Sequence, residues 1–203
     1  MKVSEQIQCE GFPCTGVATA RYSVPSIELD PAAVRVLMIC EAPPPQGGDD
    51  FYAVGDPFYL RTTLQAFEQA GVSRSSVQDL LDMGIYITTA IKCGKMGYAV
   101  PTQAVQTCSA LVLEQELALF PRLQAILLMG DVAIKAMNHV ARRQSGKRLI
   151  PSGPTYKIRQ GEYSYQGVRI FPSYLQTGKS FLIEKSKQKM IAEDIRAALD
   201  LLR

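Results

Sequence analysis

The sequence predicts a three-layer α/β/α domain around a central four-stranded parallel sheet. Three observations predict it. Four short apolar runs, rich in β-branched residues, are spread along the chain at 34–40 (VRVLMIC), 85–91 (IYITTAI), 125–129 (AILLM) and 168–171 (VRIF). Amphipathic helical patterns separate them, which is the alternation of βαβ units and of a parallel sheet covered on both faces. The 203 residues, 47% of them hydrophobic, can bury one sizeable core, so residues 1–203 are read as a single domain.

Each element follows from local chemistry. The first run ends abruptly at Glu41-Ala42-Pro43-Pro44-Pro45, which marks a strand end and the start of a loop. From Cys40 to Phe58 that segment holds nineteen residues rich in Pro and Gly, too many for a plain connector. Leu60, Leu64, Phe67 and Gly71 then recur at helical spacing. After the second run, Pro101-Thr102 opens an amphipathic helix that reaches Phe120 and is stopped by Pro121. Gly130 follows the third run and precedes a helix from Asp131 through His139. Tyr156 to Tyr165 alternates around Gln160-Gly161, predicting a β-hairpin that feeds the last strand. Ile191, Ile195, Ala198 and Leu202 give the final helix its apolar stripe.

Ligands of open parallel sheets bind at the carboxyl ends of the strands. The segments to inspect therefore follow Cys40, Ile91, Met129 and Phe171. Glu41 stands at the first of these ends, where a carboxylate meets a ligand or serves as a solvated charge. Phe51, Tyr52, Phe58 and Tyr59 bring aromatic faces to the same loop, suited to stacking a planar base or to core packing. The net charge of +3 hides an asymmetry: residues 1–134 carry 8 Lys/Arg against 14 Asp/Glu, net −6, and residues 135–203 carry 14 against 5, net +9. A basic C-terminal third is the footprint of a phosphate-backbone partner, with solvated helix surface as the competing explanation. Lys179, Lys185, Lys187 and Lys189 form one basic cluster, and Arg142, Arg143, Lys147 and Arg148 form another. No apolar stretch reaches the roughly 20 residues of a membrane span, and the polar start MKVSEQIQCE is unlike a signal peptide. A reducing cytoplasm is expected, with no membrane partner and a monomeric chain.

Four of the five cysteines form two separated pairs, Cys9 with Cys14 and Cys93 with Cys108. Cys9 and Cys14 sit in CEGFPC, a Gly/Pro turn without strand or helix periodicity, so core packing explains them poorly. Cys40 closes an apolar run and reads as a buried thiol. Four thiolates complete a tetrahedral Zn site or ligate an iron–sulfur cluster. Neither pair has C-x2-C spacing, so a shared metal site and simple core thiols both stay open. Disulfides do not suit a reducing compartment.

The ordered set of strand-CEAPP loop, DPF, YITTAIKC, a cysteine fifteen positions later, LLMGDVAIKAM and FPSYLQTG resembles the uracil-DNA glycosylase superfamily, especially its iron–sulfur branch, family 4. The resemblance covers nearly the whole chain and implies DNA as partner. It implies that Cys9, Cys14, Cys93 and Cys108 hold a structural [4Fe-4S] cluster, with Zn as the alternative. Glu41 matches the motif glutamate beside the base pocket, and Phe58 matches the phenylalanine that stacks on an extruded uracil. Lys92 matches the lysine before the third cluster cysteine, or is a surface cation. Gly130 matches the glycine of the turn after the third strand.

The departures are as informative. Thr89 stands where the family has an asparagine that reads the uracil edge, and a hydroxyl lacks the paired donor and acceptor of an amide. Leu175-Gln176-Thr177 stands where the family has His-Pro-Ser, so the histidine expected to stabilise the departing base is missing. The only histidine of the chain, His139, lies in a helix and is read as structural. Cys40 and Pro44 replace the two glycines of the first motif. The base-binding candidates are therefore Phe58, Thr89, Tyr174 and Gln176, with Lys179, Lys185, Arg142 and Arg143 as phosphate contacts. Three readings follow: a glycosylase acting on uracil or another damaged base, a nucleic-acid or nucleotide binder that does not cleave, or a Zn-stabilised domain with a small-molecule pocket.

Overall fold

The structure, a computed structural model, describes residues 1–202, apart from the side chains of Lys179 and Ser180. The first half holds α1 (Val3–Gln6), β1 (Val17–Ala18), β2 (Val36–Cys40), α2 (Phe58–Gln69), α3 (Val77–Asp82), β3 (Ile85–Thr89) and β4 (Gly94–Lys95). The second half holds α4 (Thr102–Cys108), α5 (Glu114–Ala118), β5 (Ala125–Met129), α6 (Asp131–Ser145), α7 (Thr155–Ile158), β6 (Tyr163–Tyr165), β7 (Val168–Ser173), α8 (Lys179–Ile183) and α9 (Lys185–Asp200).

The main sheet runs β3-β2-β5-β7-β6, with the first four strands parallel. Strands β2, β3 and β5 are buried at every residue, which explains why their sequences run apolar without alternation. Leu37, Ile39, Tyr86, Ile126 and Leu128 face one layer, where Ala104, Val105, Val112 and the apolar side of α6 pack. Met38, Cys40, Ile87, Leu127 and Met129 face the other, against Phe67 of α2 and Ile191 and Ile195 of α9. Three layers result, as the sequence predicts.

The sheet gains a fifth strand, the antiparallel edge β6. The expected hairpin exists, but it turns at Gln166-Gly167 and not at Gln160-Gly161. Gln166 and Gly167 both have positive φ, 50° and 82°, the pattern of a two-residue turn that matches strand twist. Residues 155–158 are helical because Pro154, at φ −66°, is preset for a helix start. At the opposite edge, the Tyr52 hydroxyl donates to the Ile87 carbonyl at 2.8 Å and accepts from the Ile87 N–H at 3.0 Å. This occupies the free edge of β3.

Lys92 and Glu116 form an ion pair at 2.5 Å with neither side chain exposed. The ammonium also donates to Thr88 Oγ1 at 2.5 Å and to the Thr89 carbonyl at 2.7 Å. The other carboxylate oxygen accepts from Tyr86 at 2.9 Å and Thr88 at 2.8 Å. Lys92 is therefore not a surface cation: the pair ties the end of β3 to the helical run behind it. That run, α4 to α5, is widened by a π-helical segment at Ser109–Leu113, directly after Cys108. Arg143 braces it through Glu114 and Ser109, at 3.0 and 3.2 Å. A second buried cluster joins α9 to β7, where Asp194 accepts from Ser173 at 2.6 Å and from Arg159 at 2.6 Å.

Glu116→Ala leaves Lys92 buried without its counter-charge, a change that typically costs about 3–5 kcal/mol. Chemical denaturation is expected to show a loss of that order, and a loss below about 1 kcal/mol contradicts the role assigned to the pair.

Candidate active site at the strand ends

Strands β2 and β3 end side by side, with Cys40 in register with Thr89. The parallel pairing continues past both strands, the Ala90 N–H donating to the Cys40 carbonyl at 2.8 Å and the Ile91 N–H to the Glu41 carbonyl at 3.1 Å. Glu41 therefore emerges at a fixed point of the sheet edge. Its carboxylate pairs with Lys95 of β4 at 3.1 Å, both side chains partly exposed. Lys95 is a residue that sequence reasoning missed. Strand β4 is held in place by β1 and by Arg21, whose guanidinium donates to the Lys95 carbonyl and, at 3.2 Å, to the Pro45 carbonyl. No signal short of the fold links Arg21, Pro45 and Lys95.

The loop aromatics divide. Phe51 is buried and Tyr52 caps β3, so neither offers a free face. Phe58 begins α2 with its N–H donating to Asp49 at 3.4 Å and the Arg61 guanidinium 5.4 Å from its ring centroid. Burial, then Cys40, Glu41, Asp49 and Asp50, push the Tyr59 hydroxyl up to about 12, which puts this phenol among the strand-end groups. Asp50 is also raised, by burial, although the Tyr52 N–H and Lys92 work against the shift.

Of the expected base-binding residues, Thr89 and Gln176 both adjoin Cys40, and both are already bonded. Thr89 donates to the Ile91 carbonyl at 2.7 Å, leaving its oxygen as an acceptor. Gln176 has no exposed surface and dips between β2 and α2, its Nε2 3.0 Å from Cys40 Sγ, 3.3 Å from Met38 Sδ and 3.3 Å from Thr63 Oγ1. Its Oε1 is the one buried side-chain oxygen or nitrogen without a partner among the described residues. Tyr174 stands at the end of β7, with the Lys187 ammonium 5.3 Å from its ring centroid. Gly130 turns at φ 96°, and Leu175 packs so closely that a Cβ on that glycine would lie 3.3 Å from the leucine Cβ.

The phosphate candidates do not form one surface. Lys185 is exposed at the start of α9, and the side chain of Lys179 lies outside the described residues. Arg142 is exposed about 16 Å down α6 from its first turn, eleven residues at 1.5 Å each. Arg143 is engaged with Glu114.

No disulfide joins any of the five cysteines. Cys93 and Cys108 belong to the core, with Cys9 and Cys14 packed against it. Burial, then Cys108, Cys9 and Cys14, push the Cys93 thiol up to about 11. Burial pushes Cys108 up to about 11, against Lys92, with Cys14 and Cys9 adding to the rise. Cys9 and Cys14 thus act on both Cys93 and Cys108, and an all-sulfur donor set suits Zn or an iron–sulfur cluster in kind. Among the described residues no three His, Cys, Asp or Glu are arranged to hold a metal ion. The Lys92 N–H donates to Cys108 Sγ at 3.4 Å, and the Lys92 carbonyl accepts from Ser23 at 2.8 Å.

The sequence pattern of the uracil DNA glycosylase superfamily matches residues 27–195. The chain belongs to that superfamily. Cys9 and Cys14 precede the matched segment, and Cys93 and Cys108 lie inside it. Among solved structures, a crystal structure of a UNG point mutant from Nitratifractor salsuginis is similar at 14% identity and a TM-score of 0.41, covering 89% of this chain and 82% of that one. No curated protein sequence matches the chain. No helix among the described residues is long and apolar enough to cross a membrane.

Cys40 is buried and its thiol is pushed up to about 12 by burial, against the Gln176 hydrogen bond. At pH 8 the reactive thiolate is therefore scarce. Iodoacetamide at pH 8 is expected to spare Cys40 in the native protein and to modify it in denaturant, read by peptide mass spectrometry. Native labelling at the rate of a free thiol contradicts the buried Cys40–Gln176 contact.

Proposed function

We propose that this member of the superfamily is a DNA glycosylase that hydrolyses the N-glycosidic bond of uracil or another damaged base, with a structural [4Fe-4S] cluster on Cys9, Cys14, Cys93 and Cys108. The observation that carries the reading is Glu41, fixed at the end of a buried strand, oriented by Lys95 and grouped with Tyr59, Thr89 and Gln176 at the sheet edge. A DNA partner, a monomeric state and a reducing cytoplasmic setting accompany it, since thiols stay free for metal there.

A base inside a duplex is out of reach, so the target nucleotide is swung out of the stack. Phe58 receives the base on its ring. Glu41 positions a water, and Lys95 fixes the direction of the carboxylate. The water oxygen bonds to the sugar carbon, the carbon–nitrogen bond breaks with its electron pair going to the base, and the water proton passes to Glu41. The DNA phosphates offset the positive charge that develops on the sugar. When bound, the cluster supplies a cross-link between the N-terminal segment and the segment after β3.

Two departures bear on the base. Thr89 donates to Ile91, and no histidine stands beside the departing base. Losing one transition-state donor typically costs about 10²–10³ in rate, so the reading favours bases that leave more readily than uracil. A second reading, binding without cleavage, is favoured by Leu175, which packs on Gly130 where the family histidine is expected.

A gel assay for abasic sites on duplexes carrying uracil, hypoxanthine or other damaged bases tests the first reading. Strand cleavage after alkali is expected, with Glu41→Ala lowering the rate by at least about 10². Salt-sensitive DNA binding without product selects the second reading and contradicts the first. Anaerobically purified protein is expected to be brown and to contain iron and sulfide. A colourless sample with one Zn and no iron contradicts the cluster.

A further inference from the structure

We infer that α6 and the loop after it form a phosphate-binding site for the nucleic-acid backbone, separate from the strand ends. The inference rests on the DNA partner proposed above, and not on base cleavage.

Lys135, His139 and Arg142 recur at helical spacing along one side of α6. With Arg148 and Ser152 of the following loop they line a cavity of about 250 Å³. The wall of this cavity is built. The Asn138 amide donates to the Ile150 carbonyl at 3.0 Å and accepts from the N–H groups of Leu149 and Ile150 at 3.0 and 2.8 Å. Arg148 in turn donates to Ser152 Oγ.

Among the described residues Lys135, Arg142 and Arg148 make no ion pair, whereas their neighbour Arg143 is paired with Glu114. Asp131, in the first turn of α6, is the one carboxylate among the residues lining the cavity. Burial, then Arg142, Arg143 and Arg148, hold His139 below the usual imidazole range, which records the positive field at that point. An anion relieves such repulsion, and displacing the counterions of a nucleic acid adds to binding.

The shape favours a backbone over a single free phosphate. His139 and Arg142 also line a neighbouring hollow with Gln106, Thr107 and Leu111, so the cationic ridge runs between two recesses. His139 lies about 14 Å along α6 from Gly130, nine residues on. Phosphates bound there flank the strand-end site and do not enter it.

The only histidine of the chain gives one Hε1 and one Hδ2 resonance, free of overlap with other histidines, so His139 reports on this face directly. The full chain is titrated with inorganic phosphate and, at equal ionic strength, with sodium chloride. An undamaged duplex is titrated in parallel by fluorescence anisotropy over a range of salt concentrations. Phosphate, and not chloride, is expected to move the His139 resonance. The double variant Arg142→Gln/Arg148→Gln is expected to abolish that movement and to reduce the salt slope of duplex binding by about 2. Equal movement with both anions, or an unchanged slope in the double variant, overturns the site. Because the duplex is undamaged, the result does not depend on glycosylase activity, so this site can fail while base cleavage stands, and the reverse.

Discussion

The structure depends most on one buried contact, the Lys92–Glu116 ion pair. Removing two charges from water is expensive, and a buried pair persists only where geometry and further hydrogen bonds offset that loss. Here Tyr86, Thr88 and the Thr89 carbonyl complete the network around a 2.5 Å contact. The Lys92 backbone points elsewhere: its N–H reaches Cys108 and its carbonyl holds Ser23. One residue thus joins the sheet, the helix behind it, the cysteine locality and the N-terminal segment. The π-helical widening after Cys108 and the Arg143–Glu114 brace lie on the same helical run, so the geometry of the thiols is tied to the core.

The strand-end site inherits this rigidity and is defined by what its groups already hold. Glu41 is directed by Lys95, Thr89 by Ile91, and Gln176 by two sulfurs and a threonine hydroxyl. An amide carries both donors and an acceptor, and Gln176 spends only the donor side. Its bare Oε1 is the one buried polar side-chain atom left over among the described residues. A superfamily fold is therefore retained around a set of edge groups that differs from the family pattern at Thr89 and Leu175. The family assignment carries the fold, and under the proposed function the choice of base rests on chemistry at those two positions.

Much of the fold was legible because parallel strands buried on both faces leave continuous apolar runs, as at Val36–Cys40 and Ala125–Met129. The hairpin position was misread because Gln160-Gly161 and Gln166-Gly167 are the same dipeptide, and only the pairing of Tyr163–Tyr165 with the last strand tells which of them turns. Lys92 was misread in part because its partner lies 24 residues away on a helix whose charges ordinarily face solvent. Motif order singled out Glu41, which follows the last residue of β2, and Phe58, which begins α2. Lys95, Arg21 and the internal commitment of Gln176 were not legible, since each depends on contacts between segments far apart in the chain.

The coupling through Lys92 is tested most directly by peptide-resolved hydrogen exchange on the wild-type chain and Glu116→Gln. Local opening exposes amides in cooperative units, so the reach of the change maps the connection. Protection is predicted to fall not only around residues 86–92 and 109–116 but also across 17–23 and 93–95, where the N-terminal segment and β4 meet. A loss confined to the helix around residue 116 would contradict the claim that this pair holds the cysteine locality to the core.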